Sequence, residues 1–168
     1  MIVSYPSIQW KEAKKRVDKD QLRDLITKVL KDVDLYSESA VELLMLTAAT
    51  ESKLGHYIRQ VGGGPALGIF QMEPSTEDDI WDNYIYYKSD EFANSVSRYA
   101  TELGGEEMEW NLAYQIIMAR IHYLRVKDPL PAADDVEGLA NYYKKYYNTR
   151  LGKATVKGAI EDYHKYAV

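Results

Sequence analysis

Seven consecutive residues, Leu43 to Ala49 ("LLMLTAA"), carry almost no polar side chain, and an acid, Glu51, follows two positions later. A helix without a polar stripe cannot lie on a surface; it must be covered on most faces by other elements. The run sits within "SESAVELLMLTAATESKLG", where Ser37 or Ser39 can cap the start and Glu42 stands in capping-box spacing from Ser39. Gly55 is the stop signal. Glu51 then falls in or near the last turn of a buried helix.

The rest of the chain supplies helices to cover it. "DQLRDLITKVLKDV" places Leu22, Leu25, Ile26, Val29, Leu30 and Val33 at amphipathic spacing, with Asp20 as N-cap. Residues 1–18 read as an irregular start. "STEDDIWDNYIYY" opens a helix capped by Ser75 or Thr76, and "EFANSVSRYATEL" forms another, closed by Gly104 and Gly105. "EWNLAYQIIMARIHYLRV" is long and apolar, "VEGLANYYKKYYN" is rich in tyrosine, and "VKGAIEDYHKYAV" comes last. Between the second and third helices, "HYIRQVGGGPALGIFQMEP" is loop with room for a small hairpin. The 168 residues contain no repeat and no linker, so the expectation is one domain, mostly α, with a small β element near residues 58–71.

Composition removes several functions. A net charge of -5, with bases interleaved among acids, leaves no basic face for nucleic acid. With no cysteine and three distant histidines, His56, His122 and His164, no metal site or cofactor is expected. "GGGPALG" lacks the Gly-Lys-Ser/Thr of a phosphate loop. No segment is apolar enough for membrane insertion, and "MIVSYPSIQWKEAKK" lacks a secretory pattern, so the chain is expected to be made in the cytoplasm. The 15 tyrosines, against 2 Phe and 3 Trp, suit either sugar faces or the edges of a helical core. For a single tyrosine the core is the commoner answer.

Glu51 meets opposing effects. Desolvation and the negative end of a helix raise its pKa, while nearby donors lower it. If desolvation dominates, the carboxyl can act as a general acid on a leaving oxygen. On position alone, a plain helix-end acid is the better reading.

Three short motifs in order change that balance. Glu51-Ser52, then Gly68-Ile69-Phe70-Gln71-Met72, then Pro74-Ser75-Thr76 resemble the lytic transglycosylase domain of the lysozyme-like superfamily. That family has a helix ending in Glu-Ser, a loop, G-L-M-Q or G-I-F-Q, and P-x-T. The separation from Glu51 to Gly68 is slightly longer than the common form. "ARIHYLRV" resembles the family's long helix, with Ala119, Tyr123 and Leu124 at its A-x-x-x-Y-L positions. "LANYY" stands where the family has L-A-A-Y-N: Tyr142 falls on the tyrosine that touches the acid, and Tyr143 replaces the asparagine. Tyr147 and Asn148 supply a second Tyr-Asn pair. The resemblance covers roughly residues 37–155, leaving residues 1–36 as an N-terminal helical addition.

The resemblance implies a lysozyme-like α+β fold acting on peptidoglycan glycan strands, between N-acetylmuramic acid and N-acetylglucosamine. It implies Glu51 as general acid and base, the substrate's own N-acetyl oxygen as nucleophile, and a 1,6-anhydro product, which is the substrate-assisted scheme rather than the two-carboxylate one. Ser52, Gly68, Ile69, Phe70, Gln71, Met72, Tyr142, Tyr147 and Asn148 would form the substrate-binding wall, with Tyr142 or Tyr147 bonded to Glu51. A hydrolytic lysozyme would need a second carboxylate, for which Glu73 is the candidate; Glu77, Asp78 and Asp79 read as first-turn helix acids. The missing secretory pattern and the small single domain suggest a bacteriophage setting, as a virion component or a lysis enzyme with matching partners. A structural virion protein of little activity is the alternative from another class.

Overall fold

The computed structural model describes residues 17–101, 104–149 and 152–168. The irregular start expected at the N-terminus lies, up to residue 16, outside them. The helices are α1 (Lys19–Asp32), α2 (Glu38–Ser52), α3 (Pro74–Asn83), α4 (Asp90–Ser97), α5 (Leu112–Leu124), α6 (Val136–Tyr143) and α7 (Val156–Asp162). Helices α6 and α7 run on into π-helical turns, Lys144–Asn148 and Tyr163–Ala167. The mostly-α expectation holds. Where a small hairpin was expected, two isolated antiparallel bridges form, Arg59 with Leu67 and Leu67 with Met72; the described residues contain no longer strand.

Helix α2 is the central element. It packs against α1, α5, α6, α7 and the turn Tyr163–Ala167, and every residue from Leu43 to Ala49 is buried. Its apolar sequence therefore does what its composition demands. Ser37 caps it, accepting from the Ala40 N–H at 3.0 Å. The expected Ser39–Glu42 box is not formed, because Glu42 turns instead to Arg23 and Tyr163. The helix stops at Ser52, earlier than Gly55 suggested: Lys53 and Leu54 already take left-handed φ values of 53° and 55°. Burial of Leu54 accompanies this unfavourable backbone and helps offset it.

Other boundaries also moved. Asp18, not Asp20, caps α1, accepting from the Asp20 and Gln21 N–H groups at 3.1 Å. Helix α3 starts on Pro74 rather than after Ser75 or Thr76, since proline lacks an N–H that the first turn could not use anyway. Helix α4 ends at Ser97, and Gly105 begins a 3-10 turn (Gly105–Glu109) instead of closing that helix. No helix among the described residues is long and apolar enough to cross a membrane.

Tyrosine is largely a core residue here. Tyr114, Tyr123 and Tyr143 are fully buried, and each hydroxyl has a partner: Glu77, Thr47 and Glu51. This satisfies the polar end of a ring whose apolar body is worth burying.

The two chain ends of the core are joined by one side chain. Arg23 on α1 donates from Nε to Glu42 at 2.9 Å and from Nη2 to the Ala167 carbonyl at 2.7 Å. Replacing it, as in Arg23→Leu, is expected to cost about 1–2 kcal/mol, because a part-buried carboxylate and a carbonyl lose their donor. Urea denaturation measures that loss. Amide hydrogen exchange should quicken in Tyr163–Ala167 well before it does in α5; uniform quickening would refute the local tie.

Candidate active site

The end of α2 and the loop that follows are clamped together by Ser52. This buried hydroxyl donates to the Ile69 carbonyl at 2.6 Å and accepts from the Gly55 N–H at 2.8 Å. On the far side, the Ile69 N–H donates to Gln115 Oε1 at 2.8 Å, fixing the loop to α5. Between these anchors, Leu67 and Met72 exchange backbone bonds of 3.0 and 3.1 Å, closing a tight turn over residues 68–71. Gly68 is required there: its φ is +75°, and a Cβ would meet the Met108 carbonyl at 2.1 Å and Gln115 Oε1 at 2.3 Å.

Glu51 lies in the last turn of α2, half-buried, on the wall of a cleft of about 560 Å³. Gln60, Gln71, Glu73, Tyr147, Asn148 and Lys153 line the same cleft. Removal from water raises the Glu51 pKa above the ordinary carboxyl range. The donors of Tyr143 and Asn148 oppose this without cancelling it. The Tyr143 hydroxyl donates to Glu51 Oε1 at 2.6 Å. Burial and the neighbouring carboxylate raise the Tyr143 pKa, so its proton stays in place as a donor.

The tyrosine contact is a correction. Tyr142 and Tyr147 were the expected partners of Glu51, and Tyr143 makes the bond. Consecutive helical residues differ by about 100° around the axis, so Tyr142 faces elsewhere. Its hydroxyl donates to the Asp128 carbonyl at 2.8 Å, away from the acid. Tyr147 does line the cleft, yet its hydroxyl donates to the Phe70 carbonyl at 2.7 Å and so holds the loop. Its ring stacks on Tyr143, with centroids 6.1 Å apart and planes at 24°.

The loop motif is likewise divided. Ile69, Phe70 and Met72 are core side chains, and Gly68 is buried beneath the turn. Ser52 is fully buried and works as a clamp. Of the five-residue motif only Gln71 reaches the cleft, its amide pinned by a 2.8 Å bond to the Gly68 carbonyl. Asn148, expected only as part of the substrate-binding wall, lines the cleft with Glu51 and favours its charged form. The apolar residues on both sides of Gln71 in "GIFQM" are the available signal that most of it is core.

Besides Tyr143, the cleft residues not singled out from the sequence include Gln60 and Lys153. Lys153 stands at the cleft with Glu51 and Glu73. His122 carries its edge against the Tyr147 ring, centroids 5.0 Å apart. Burial and the Arg125 charge push the His122 pKa down to about 4. Its Nδ1 accepts from Arg125 at 3.0 Å, so the proton sits on Nε2 and is donated to the Tyr146 carbonyl at 3.2 Å. It is a neutral structural group at physiological pH.

Compared with protein-family models, curated proteins and solved structures, the chain gives no match.

Gly68→Ala is expected to cost about 2–4 kcal/mol, combining a strained left-handed backbone with overlap against a carbonyl. Denaturant midpoints measure this. Glu51→Gln should do the reverse. The folded chain holds the Glu51 proton more tightly than the unfolded chain, whose carboxyl titrates near 4.5. Stability from this group is therefore full below about pH 4.5 and falls as pH rises through the folded pKa, leaving a constant penalty above it. The glutamine variant escapes that penalty, so its Tm at pH 7 should exceed wild type by about 2–4 °C for each kcal/mol relieved. The difference should close on acidification below pH 4, and an equal Tm at pH 7 would show that the carboxyl is not penalised.

Proposed function

We propose that this chain is a peptidoglycan-cleaving enzyme of the lytic transglycosylase type, with a lysozyme-like arrangement of the acid on a buried helix and the loop against it. The observation that carries this reading is one carboxyl, raised in pKa by burial, held by Tyr143 beside Asn148 on the wall of an open cleft. A group held that way keeps its proton further toward neutral pH than a surface glutamate, as a general acid requires.

With Oε1 accepting from Tyr143, the transferable proton belongs on Oε2. In the proposed reaction it passes to the glycosidic oxygen between N-acetylmuramic acid and N-acetylglucosamine as the bond to the anomeric carbon breaks. The substrate's N-acetyl oxygen bonds to that carbon, giving a cyclic oxazolinium intermediate. The Glu51 carboxylate then takes the proton of the muramyl C6 hydroxyl, whose oxygen displaces the N-acetyl oxygen. The 1,6-anhydro product leaves and Glu51 is again protonated. Gln71 and Asn148 offer amide groups suited to sugar hydroxyls and acetamides.

One observation favours a second reading. Glu73 lines the same cleft as Glu51, which a hydrolytic, two-carboxylate lysozyme would need.

Digestion of purified cell walls distinguishes these. Wild type should clear turbidity and release anhydro-muropeptides, while Glu51→Gln should be slower by about 10²–10⁴-fold. Equal clearing by both proteins would refute a catalytic Glu51. Failure of both to clear would favour the structural virion protein. Mass spectrometry reads the chemistry: products heavier by one water, with dependence on Glu73, would establish hydrolysis instead.

A further inference from the structure

Asn148 is held by contacts that also decide which way its amide faces. An ammonium group donates three hydrogen bonds and accepts none. Lys144 Nζ lies 2.9 Å from Asn148 Oδ1 and 2.8 Å from the Gly152 carbonyl. The amide oxygen is committed to the lysine, so the NH2 end is the one left to face Glu51. Gly152 makes room for this: a Cβ there would lie 2.2 Å from both Asn148 Oδ1 and the Asn148 carbonyl.

The π-helical turn explains how these groups meet. Tyr143 and Asn148 are five residues apart; Tyr143 bonds Glu51, and Asn148 lines the same cleft and favours its charged form. On a regular α-helix they would diverge by about 140°; a turn widened to i→i+5 brings them closer to one side. Lys144, one turn back from Asn148, is then in reach of its amide.

The geometry points to Lys144 as a positioning residue that, through Asn148, keeps a hydrogen-bond donor rather than an acceptor on the Glu51 carboxyl. This rests on the reading of Glu51 as the proton-transfer group. A donor favours the carboxylate, the form Glu51 must hold between its two proton transfers; a flipped amide would present its oxygen and favour the acid. The clamp therefore balances the burial that favours the protonated form. The other groups facing Glu51 are Tyr143 from α6, Tyr147 from the π turn and Tyr123 from α5. Tyr57, Glu73 and Lys153 share the cleft.

The test is a ¹³C NMR titration of the Glu51 carboxyl in the full chain, its signal identified by its loss in Glu51→Gln. Lys144→Met should raise the midpoint by about half a pH unit or more, the scale of one lost hydrogen bond. Asn148→Ala should raise it at least as far, and adding Lys144→Met to Asn148→Ala should then change nothing. A lysine acting only by its charge would shift the midpoint equally in both backgrounds, and that result overturns the proposal, as does no shift in Lys144→Met. Gly152→Ala leaves the charge untouched but displaces the amide, so it too should raise the midpoint; if Lys144→Met does not fold, this variant decides. Lys144→Arg, still a pure donor, should titrate like wild type. The midpoints are independent of turnover. A cycle with the expected pattern, alongside undiminished clearing by Glu51→Gln, would overturn the catalytic reading and leave the clamp standing.

Discussion

Taking a carboxyl group out of water favours its neutral form, and the position of Glu51 imposes that cost on this fold. The acid follows a stretch of α2 that is buried throughout, so α6, which covers that helix, brings Tyr143 against it, and Tyr147 of the π turn lines the same cleft. Two donors, Tyr143 and Asn148, then stabilise the charged form in part. The result is a group able to exist in either state within one fixed geometry. A fully exposed glutamate would lack the raised pKa, and one with more donors would lose its proton too easily to give it away.

The same pairing recurs elsewhere in the core. Tyr163 donates to Glu42 at 2.7 Å, and Tyr114 donates to the buried Glu77 while accepting from Trp81 Nε1 at 2.7 Å. A phenol is neutral at physiological pH, so it can satisfy a carboxylate without bringing a second charge into low dielectric. That accounts for part of the tyrosine excess. It also separates Glu51 from its counterparts: Glu42 has the Arg23 guanidinium as well, and Glu77 is closed off from solvent. Glu51 instead lines the cleft beside Glu73 and Asn148.

The buried course of α2 and the place of Glu51 at its end were legible in the sequence, because both follow from a long apolar run that admits one kind of environment. Caps were harder. Asp18 and Asp20 are chemically equivalent candidates, and Glu42 left its capping box for a partner 19 residues back in the chain. The motif "GIFQM" marked the right loop but not the role of its side chains, since Ile69, Phe70 and Met72 are held by packing that spacing does not reveal. The choice among adjacent tyrosines was illegible for a sharper reason. Which of Tyr142 and Tyr143 meets Glu51 depends on the rotation of α6 about its axis, and that rotation is set by contacts with α2 and α7.

The π turn Lys144–Asn148 holds one residue more per turn than an α-helix would. Such a turn is a reading-frame slip written into a helix: everything beyond it is rotated relative to everything before it. Rewinding the same five residues as regular α-helix would carry Asn148 round the axis, away from the acid, without removing its side chain. A chain built this way can keep every side chain of its cleft and still have them slip out of step with any helix counted at constant spacing.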